Sequence, residues 1–493
     1  MTEIGGAVPL GGSGVIAGTT SLCRYLHRSC ILVIARQRRR RGEQGMDTAP
    51  AATAVSHSIY PRPAYAWYVV GVLLIVGITS YLDRYIVSLL VEPIKADLGL
   101  SDTQVSLLQG TAFAVFFVAF SLPCGALVDR VSRRTILAIG IALWSVMTAA
   151  GGLADNFWEL FLSRAGVGIG EACLAPAAFS LIADYFPPVR RGKAMSIYNM
   201  ANYLGGGSSL LIGGLVLGML GGVGVASLPT IGPIASWKAT FIIVGLPGLL
   251  LSLLMLTVRE PARQGSRVSS EQGTAEGFLE HMRSAPKVYV AVHFVSAMTA
   301  FTGFAVASWS PSYFIRTFGL TPSEAGLMVG PVAALCGMTG CILSGICSDW
   351  AVAKGRVGGR FLLPLIWWPA AFAGLTLMVT APNEHRALIG IGLFMVGSGF
   401  GLASVVPTIH DITPAQFRGR ATSLHFVLAG LLALGSAATL VALVNDYLFA
   451  DPAALGKSML VVLVPVIVAG FAVCLASRRI YEQRRRFFLA TAN

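Results

Sequence analysis

The sequence predicts an all-α membrane protein with twelve transmembrane helices in two pseudo-symmetric six-helix bundles. Composition, segment length and charge placement each point there. Of the 493 residues, 55% are hydrophobic and only 12% charged, with a mean hydropathy of +0.72; a soluble domain carries roughly 25% charged residues. Twelve apolar segments approach the roughly 20 residues that a bilayer crossing requires. They fall six on each side of a polar stretch, and lysine and arginine crowd alternate connections.

In chain order, the first six spans are expected near 67–90, 103–128, 134–153, 157–182, 193–220 and 237–257. The second six are expected near 288–315, 322–348, 359–380, 386–409, 416–443 and 456–478. Residues 67–257 and 288–478 then form the two bundles, 258–287 a cytoplasmic linker and 479–493 a cytoplasmic tail. Residues 1–66 read as a disordered N-terminal extension. It is Gly-rich, with an apolar run from Ile31 to Ala35 too short to span, followed by Arg38 to Arg41. That order is the reverse of a signal peptide; residues 1–45 are expected to be a non-functional or disordered extension, with Met46 opening a short N-terminal tail. An internal repeat supports the two halves. Gly125-x-x-x-Asp129 returns as Gly345-x-x-x-Asp349, and Asp184 with Arg191-Gly192-Lys193-Ala194 returns as Asp411 with Arg418-Gly419-Arg420-Ala421. Parallel halves related about the membrane normal are one transporter architecture.

The formal net charge of +13 raises nucleic acid as a partner, but topology accounts for it. With both termini in the cytoplasm, the inner loops and tail hold twenty-one Lys and Arg, and the outer loops hold five: Lys95, Lys238, Arg316, Arg386 and Lys457. This is the positive-inside bias. A multi-pass protein of the cell inner membrane is therefore expected, with the lipid bilayer as its surroundings and no nucleic-acid partner. Other function classes find little. Gly456-Lys457-Ser458 resembles a phosphate loop only in part, because Asp451 stands where glycine is needed. No catalytic triad, zinc helix or metal cluster stands out, so no enzyme, metal or cofactor is expected. Six of the eight cysteines lie in apolar segments, where cysteine acts as a small hydrophobe.

Four charges stand inside expected spans: Asp83 and Arg84 in the first, Arg164 and Glu171 in the fourth. Charge at membrane depth is costly and persists where it faces a bundle interior or a water-filled cavity. At 1.5 Å rise per residue, Asp83 stands about 24 Å above the inner end of span 1. Arg164 stands about 10 Å, and Glu171 about 20 Å, below the outer end of span 4. The first-helix pair and Arg164 can therefore meet in the outer half, with Glu171 near the midplane. Seven residues apart, Arg164 and Glu171 share a helix face. A carboxylate in a drying cavity resists ionisation, and a nearby arginine reverses that, so Asp83 and Glu171 are expected to carry protons. Arginine keeps its proton; Arg84 and Arg164 would hold an anionic headgroup or balance the carboxylates. The plain alternative is a set of structural ion pairs.

From about Trp67 to Arg479 the chain resembles the major facilitator superfamily. Gly125-Ala126-Leu127-Val128-Asp129-Arg130-Val131-Ser132-Arg133-Arg134 is similar to its second-to-third loop signature, with Ser132 where glycine is usual and Trp350 replacing arginine in the second copy. Three stretches resemble the bacterial spinster-like transporters: Tyr81-Leu82-Asp83-Arg84-Tyr85, the run Arg164 to Ala172 with its Gly168-Ile169-Gly170-Glu171-Ala172 core, and the run Asp184 to Gly192. The anion:cation symporters share the Asp-Arg pair and that glycine core. Phe186-Pro187-Pro188 and Ser196-Ile197-Tyr198-Asn199-Met200-Ala201 favour spinster. The resemblance implies a monomeric, proton-coupled secondary transporter of a small molecule, by symport or antiport, working by alternating access. It implies a cavity lined by helices 1, 4, 7 and 10 that holds all four charges. The cargo is expected to be an amphipathic or organic anion, lysolipid-like molecules among the candidates, since spinster relatives in animals are associated with lysolipid and sphingoid-phosphate export. Uptake of a small carboxylate and a passive facilitator or channel are the alternatives. The resemblance also implies a gating motif of Gly125, Asp129, Arg130, Arg133, Arg134 and Asp184, in which Asp129, Arg133 and Asp184 hold the halves together on the inside.

The fifth helix is dense in glycine (Gly205, Gly206, Gly207, Gly213, Gly214 and Gly218), which in a bilayer permits close helix approach. Asn199 and Asn202 beside it are candidate cavity-lining residues, as are Phe301 and Phe304 in the seventh helix, within an aromatic stripe flanking a Ser310-Pro311 break. Gly397, Gly399, Gly401 and Pro407 suggest a bend in the tenth. His293 and His425 read as packed histidines.

Overall fold

The computed structural model describes residues 60–222, 224–228, 232–263, 275–414 and 417–491. The expectations for residues 1–59, including the non-functional extension, lie outside the described residues. Among these residues twelve helices are long and apolar enough to cross a membrane. Spans 1 to 6 are Pro63–Leu89, Asp102–Ser121, Arg133–Gly151, Phe157–Tyr185, Arg190–Met219 and Ser236–Met255. Spans 7 to 12 are Pro286–Phe318, Pro322–Ala353, Gly359–Val379, Glu384–Asp411, Arg418–Phe449 and Pro452–Ala490. The twelve-helix fold in two six-helix bundles is thus the observed one.

Several boundaries differ for local reasons. Span 1 starts at Pro63 rather than 67, because proline at the first helical position is pre-set for the helix and lacks only an N–H that would go unpaired. The linker contains a helix, Ala275–Arg283. The last helix, Leu455–Thr491, runs straight through the expected tail, with Arg478 on Glu482 one turn on at 3.0 Å. A small antiparallel hairpin, Val225–Leu228 against Gly232–Ala235, follows span 5. The expected break at Ser310-Pro311 is absent: span 7 is one helix through Pro311. Neighbouring helices can stabilise a proline-containing helix inside a membrane protein, and here Trp309 donates to the Ala438 carbonyl of span 11 at 2.9 Å. Span 10 likewise runs unbroken. Its glycines serve packing: a Cβ at Gly399 would lie 2.1 Å from the Gly337 carbonyl oxygen of span 8.

Irregularities fall elsewhere. Span 4 is interrupted between Glu171 and Leu174; Pro176 offers no N–H to the carbonyl four residues back and crowds it. Span 2 contains one π-helical turn, Leu107–Thr111, and span 11 two, Gly430–Leu434 and Val444–Phe449.

The two ends of the molecule are packed differently. At the end carrying Asp102 and Arg316 (the far end), one apolar core joins both halves, from Ile86, Leu108 and Leu210 to Phe301, Trp309 and Val329. At the end carrying Arg133 and Asp411 (the basic end), each half has its own core. One contains Leu73, Leu137 and Tyr185, the other Val288, Ile409 and Tyr481. Glycines mark the same asymmetry. A Cβ at Gly207 would sit 2.4 Å from that of Ala334, and one at Gly214 would sit 2.8 Å from the Ser323 carbonyl oxygen. At the basic end a Cβ on Gly125, Gly192, Gly345 or Gly419 would meet nothing within 4 Å.

Candidate functional site

The glycine run of span 4 sets the site. A Cβ at Gly168 would fall 2.5 Å from the Phe113 carbonyl oxygen of span 2, and one at Gly170 would fall 2.8 Å from the Trp144 nitrogen of span 3. Only glycine allows backbones this close. Span 4 is thereby drawn against spans 2 and 3, with Arg164 and Glu171 turned toward span 1. There the four intramembrane charges meet. Asp83, Arg164 and Glu171 are fully buried, at 0%, 1% and 1% exposure, and Arg84 is nearly so.

Their bonding is uneven. Arg84 forms an ion pair with Glu171. Three rings surround the same guanidinium, with Phe113, Tyr81 and Phe117 centroids at 4.4, 4.9 and 5.5 Å; a guanidinium over ring faces is attracted by their quadrupoles. Glu171 ends the first segment of span 4, where the helix dipole opposes negative charge, so the Arg84 partner offsets an unfavourable placement. Arg164 donates to the main-chain carbonyls of Asp83 (2.9 Å) and Arg84 (3.2 Å). It fastens span 4 to span 1 and leaves only Nε without a partner. Asp83 differs: among the described residues no lysine or arginine closes an ion pair with its carboxyl. Arg164 and Glu171 act on it electrostatically, and the Trp144 indole N–H stands beside it as a hydrogen-bond donor.

The other expected residues are dispersed. Asn199 is exposed and Asn202 half-buried, on either side of the Met200 joint in span 5. Phe301 and Phe304 are 4% and 6% exposed, inside the core that joins the halves rather than on an open surface; Phe304 faces Tyr85 at 6.0 Å. In the loop signature, Arg133 starts span 3 and holds Asp184 and Glu260. Glu260 also accepts the Arg134 backbone N–H and the Ser132 hydroxyl, each at 3.0 Å, so a carboxylate caps the N-terminus of span 3, where the dipole favours it. Burial pushes the Glu260 carboxyl up, but the Arg134 N–H, the Arg133 guanidinium and Ser132 outweigh it and hold it below the ordinary range. Arg130 is exposed, and the side chain of Asp129 lies outside the described residues. The second half repeats the pairing: Arg360 bonds Asp411 at 2.9 Å, and Arg485 reaches the same carboxylate at 3.2 Å.

Sequence reasoning missed a polar cluster at the far end. Asp102 pairs with Lys95 and takes both Arg316 amino groups at 2.7 and 2.6 Å. Arg316 also holds Glu92 at 2.8 Å, and Asn445 donates to Asp102 at 2.8 Å. Asp446 accepts the Thr103 N–H and hydroxyl, each at 2.7 Å. Glu92, Lys95, Asp102 and Thr103 belong to the first half, and Arg316, Asn445 and Asp446 to the second. Lys95 and Arg316 were visible in the sequence as two of the few outer-loop cations; which acids they meet was not. Deeper in, Gln109 donates to the Ser308 carbonyl at 3.1 Å, again between halves.

A twelve-helix, two-bundle protein with a buried charge cluster and a polar clamp at one end is a membrane transporter by architecture. The major facilitator superfamily matches over residues 73–438, and the chain belongs to that family. An MFS-type efflux pump of Mycolicibacterium smegmatis is 29% identical over 88% of this chain and 98% of its own length. A Bacillus subtilis protein named probable galactarate/D-glucarate transporter is 26% identical over 73% of this chain and 81% of its own. Among solved structures, a bacterial homolog of the human lysosomal transporter spinster, inward-facing and unoccupied, aligns at a TM-score of 0.70 with 25% identity. That alignment covers 87% of this chain and 99% of the other.

Proposed function

We propose that the protein is a proton-coupled secondary active transporter of an amphipathic or organic-anion small molecule, working by alternating access in the bacterial inner membrane. The observation that carries this reading is the uneven bonding of the buried charges. Glu171 is neutralised by Arg84, while Asp83, equally buried, forms no ion pair among the described residues. Charge in hydrocarbon marks ion and substrate pathways, and a carboxyl that is not held in an ion pair can take up and release a proton as access alternates. Arg84 would leave Glu171 for an anionic cargo group, its three aromatic neighbours lying against the cargo's apolar part. Arg164, bound to the backbone of span 1, fixes the geometry.

Alternating access is supported by the asymmetry of the ends. The halves share a core and an ion-pair clamp at the far end and have separate apolar cores at the basic end. The basic end is assigned to the cytoplasm, with both termini, because lysine and arginine concentrate there; separate cores at that end support a state biased toward inward opening. Residues 67–257 and 288–478 would be the rocking bodies, acting as a monomer. Gly125, Asp129, Arg130, Arg133, Arg134 and Asp184 would form the inner gate. A small carboxylate is the second reading of the cargo, favoured by the sugar-acid transporter among the relatives.

The test is flux in proteoliposomes under an imposed pH step, with candidate cargoes drawn from small molecules that co-purify. Asp83→Asn is expected to cut gradient-driven flux on the order of tenfold or more while the protein stays folded. Undiminished pH-driven flux in Asp83→Asn would remove Asp83 as a carrier, and cargo that never accumulates against its gradient would leave a passive facilitator.

A further inference from the structure

Spans 5 and 8, one from each half, run antiparallel and meet in steps of three or four residues. A Cβ at Gly326 would lie 3.0 Å from the Gly214 Cα, one at Gly330 would lie 2.7 Å from the Leu211 nitrogen, and Gly207 meets Ala334. The last rung is Tyr203 on Gly337, where the phenol ring leaves no room for a Cβ. Tyr203 stands about 20 Å along span 5 from Arg190, near mid-depth. Toward the basic end the ladder stops, since a Cβ on Gly192 or Gly345 would meet nothing within 4 Å. The faces nevertheless continue. On span 5, Asn199, Ser196 and Gly192 follow Tyr203 at the same steps, and all three are exposed. On span 8, Cys341 and Gly345 follow Gly337, half-buried and exposed respectively.

We propose that Tyr203 seated on Gly337 is a fixed pivot between the halves, and that spans 5 and 8 close the basic end in the register set above it, with Asn199 on Cys341 and Ser196 on Gly345. Resting on the alternating-access reading, this gives the opposite state its contact surface. The far end must part in exchange. There the Ser323 hydroxyl donates to the Gly214 carbonyl at 2.7 Å, a bond between halves that opening breaks, whereas the Tyr203 seat at mid-depth stays filled.

Helix geometry aims these residues at span 8. Positions three and four apart share a helix face, so Asn199 and Ser196 point as Tyr203 and Gly207 do. Lipid is not their partner. The large exposed apolar side chains of span 5, Ile212, Leu215 and Met219, lie on the opposite face, and an amide against hydrocarbon leaves its polar groups unmet. The inner part of span 5 is also committed to the first half, because Ala194 and Tyr198 are buried in that half's own core at 0% and 7% exposure. It therefore moves with the first half, carrying Asn199 and Ser196 toward span 8. Ser196 and Gly345 are small enough for the backbones to approach closely. Register is held by the ring: a slip of one rung would set Tyr203 on Ala334 or Cys341, each of which carries a Cβ.

The experiment is cysteine cross-linking of the full-length protein in liposomes, with Ser196→Cys and Gly345→Cys combined and the linked peptides identified by mass spectrometry. A disulfide requires Cα atoms roughly 4.4–6.8 Å apart, so the link reads register residue by residue. Native Cys341 and Cys347, four residues before and two after Gly345, compete as out-of-register partners in the same molecule. Expected is a link between the two introduced thiols that accumulates as the protein cycles, abolishes flux and is reversed by reductant. In the linked protein the far-end amides of residues 102–109 should exchange hydrogen about fivefold faster or more. If the double variant fails to fold, Asn199→Cys with native Cys341 reads the neighbouring rung. Linkage of the thiol introduced at Ser196 to Cys347, or no link in either set, would overturn the proposal. Gly337→Ala, which denies Tyr203 its seat, should spread the link to the native cysteines; an unchanged yield and partner would remove Tyr203 as the pivot. None of these readouts needs cargo or a proton gradient. The link forming while Asp83→Asn keeps its flux would remove the proton carrier alone, and pH-driven flux without the link would remove the pivot alone.

Discussion

At the scale of single residues, burial decides what each charge can do. Arg84 and Glu171 are 11% and 0% exposed at their side chains, so removing one strands the other. Glu171→Gln is expected to lower stability by about 3–5 kcal/mol, and Arg84→Met placed on top should restore most of it, read as melting temperatures in detergent. A structural pair alone would predict the same recovery of stability, but the double variant should still lack transport. Glu260 gives a pH signature outside the membrane. Its carboxyl is held below the ordinary range in the folded protein, so it stabilises above the unfolded value near 4.3, and that stability is lost as pH falls through the folded value. Glu260→Gln should therefore remove part of the loss of melting temperature between about pH 5 and pH 3 and leave neutral-pH stability lower than wild type.

At the scale of elements, glycines record which helices touch in this state. Spans 5 and 8 meet so closely at Gly207 and Gly214 that a methyl group cannot fit. Gly207→Ala should shift the population away from far-end closure, seen as shorter spin-label distances across the basic end. Gly345→Leu has room here, since nothing lies within 4 Å, and it should instead trap the basic end open and abolish flux without unfolding the protein. Equal distances in both variants and wild type would remove glycine packing as the determinant of state. The glycine density of span 5 was legible in the sequence. Its partner, span 8, was not, because Gly326 and Gly330 are unremarkable until the helices are placed together.

At the scale of the whole molecule, the far-end clamp weighs against the separated basic end. Arg316 bridges Asp102 and Glu92 across the halves. Arg316→Met is expected to favour far-end opening by about 1–3 kcal/mol, a shift of 5- to 150-fold in the ratio of states. Labelling of a single cysteine introduced on the far-end surface between the halves should rise accordingly, and an unchanged labelling rate would mean that the apolar core alone holds that end closed. The clamp and the Arg133–Asp184 and Arg360–Asp411 pairs lie at opposite ends, so salt should affect the two equilibria differently where the charges are exposed.

The sequence alone determined the twelve spans, their grouping in halves and the presence of four charges at membrane depth, because bilayer thickness and the cost of charge in hydrocarbon act on each segment by itself. The family resemblance grouped Arg133 with Asp184, which the structure pairs; that Arg360 meets Asp411 was not anticipated. Tertiary structure alone decided that Asp83 has no ion-pair partner while Glu171 is held by Arg84, that Arg316 reaches Asp102, and that His293 finds His425. Those contacts join residues 87, 214 and 132 positions apart, and nothing local to either partner specifies which helices will pack side by side.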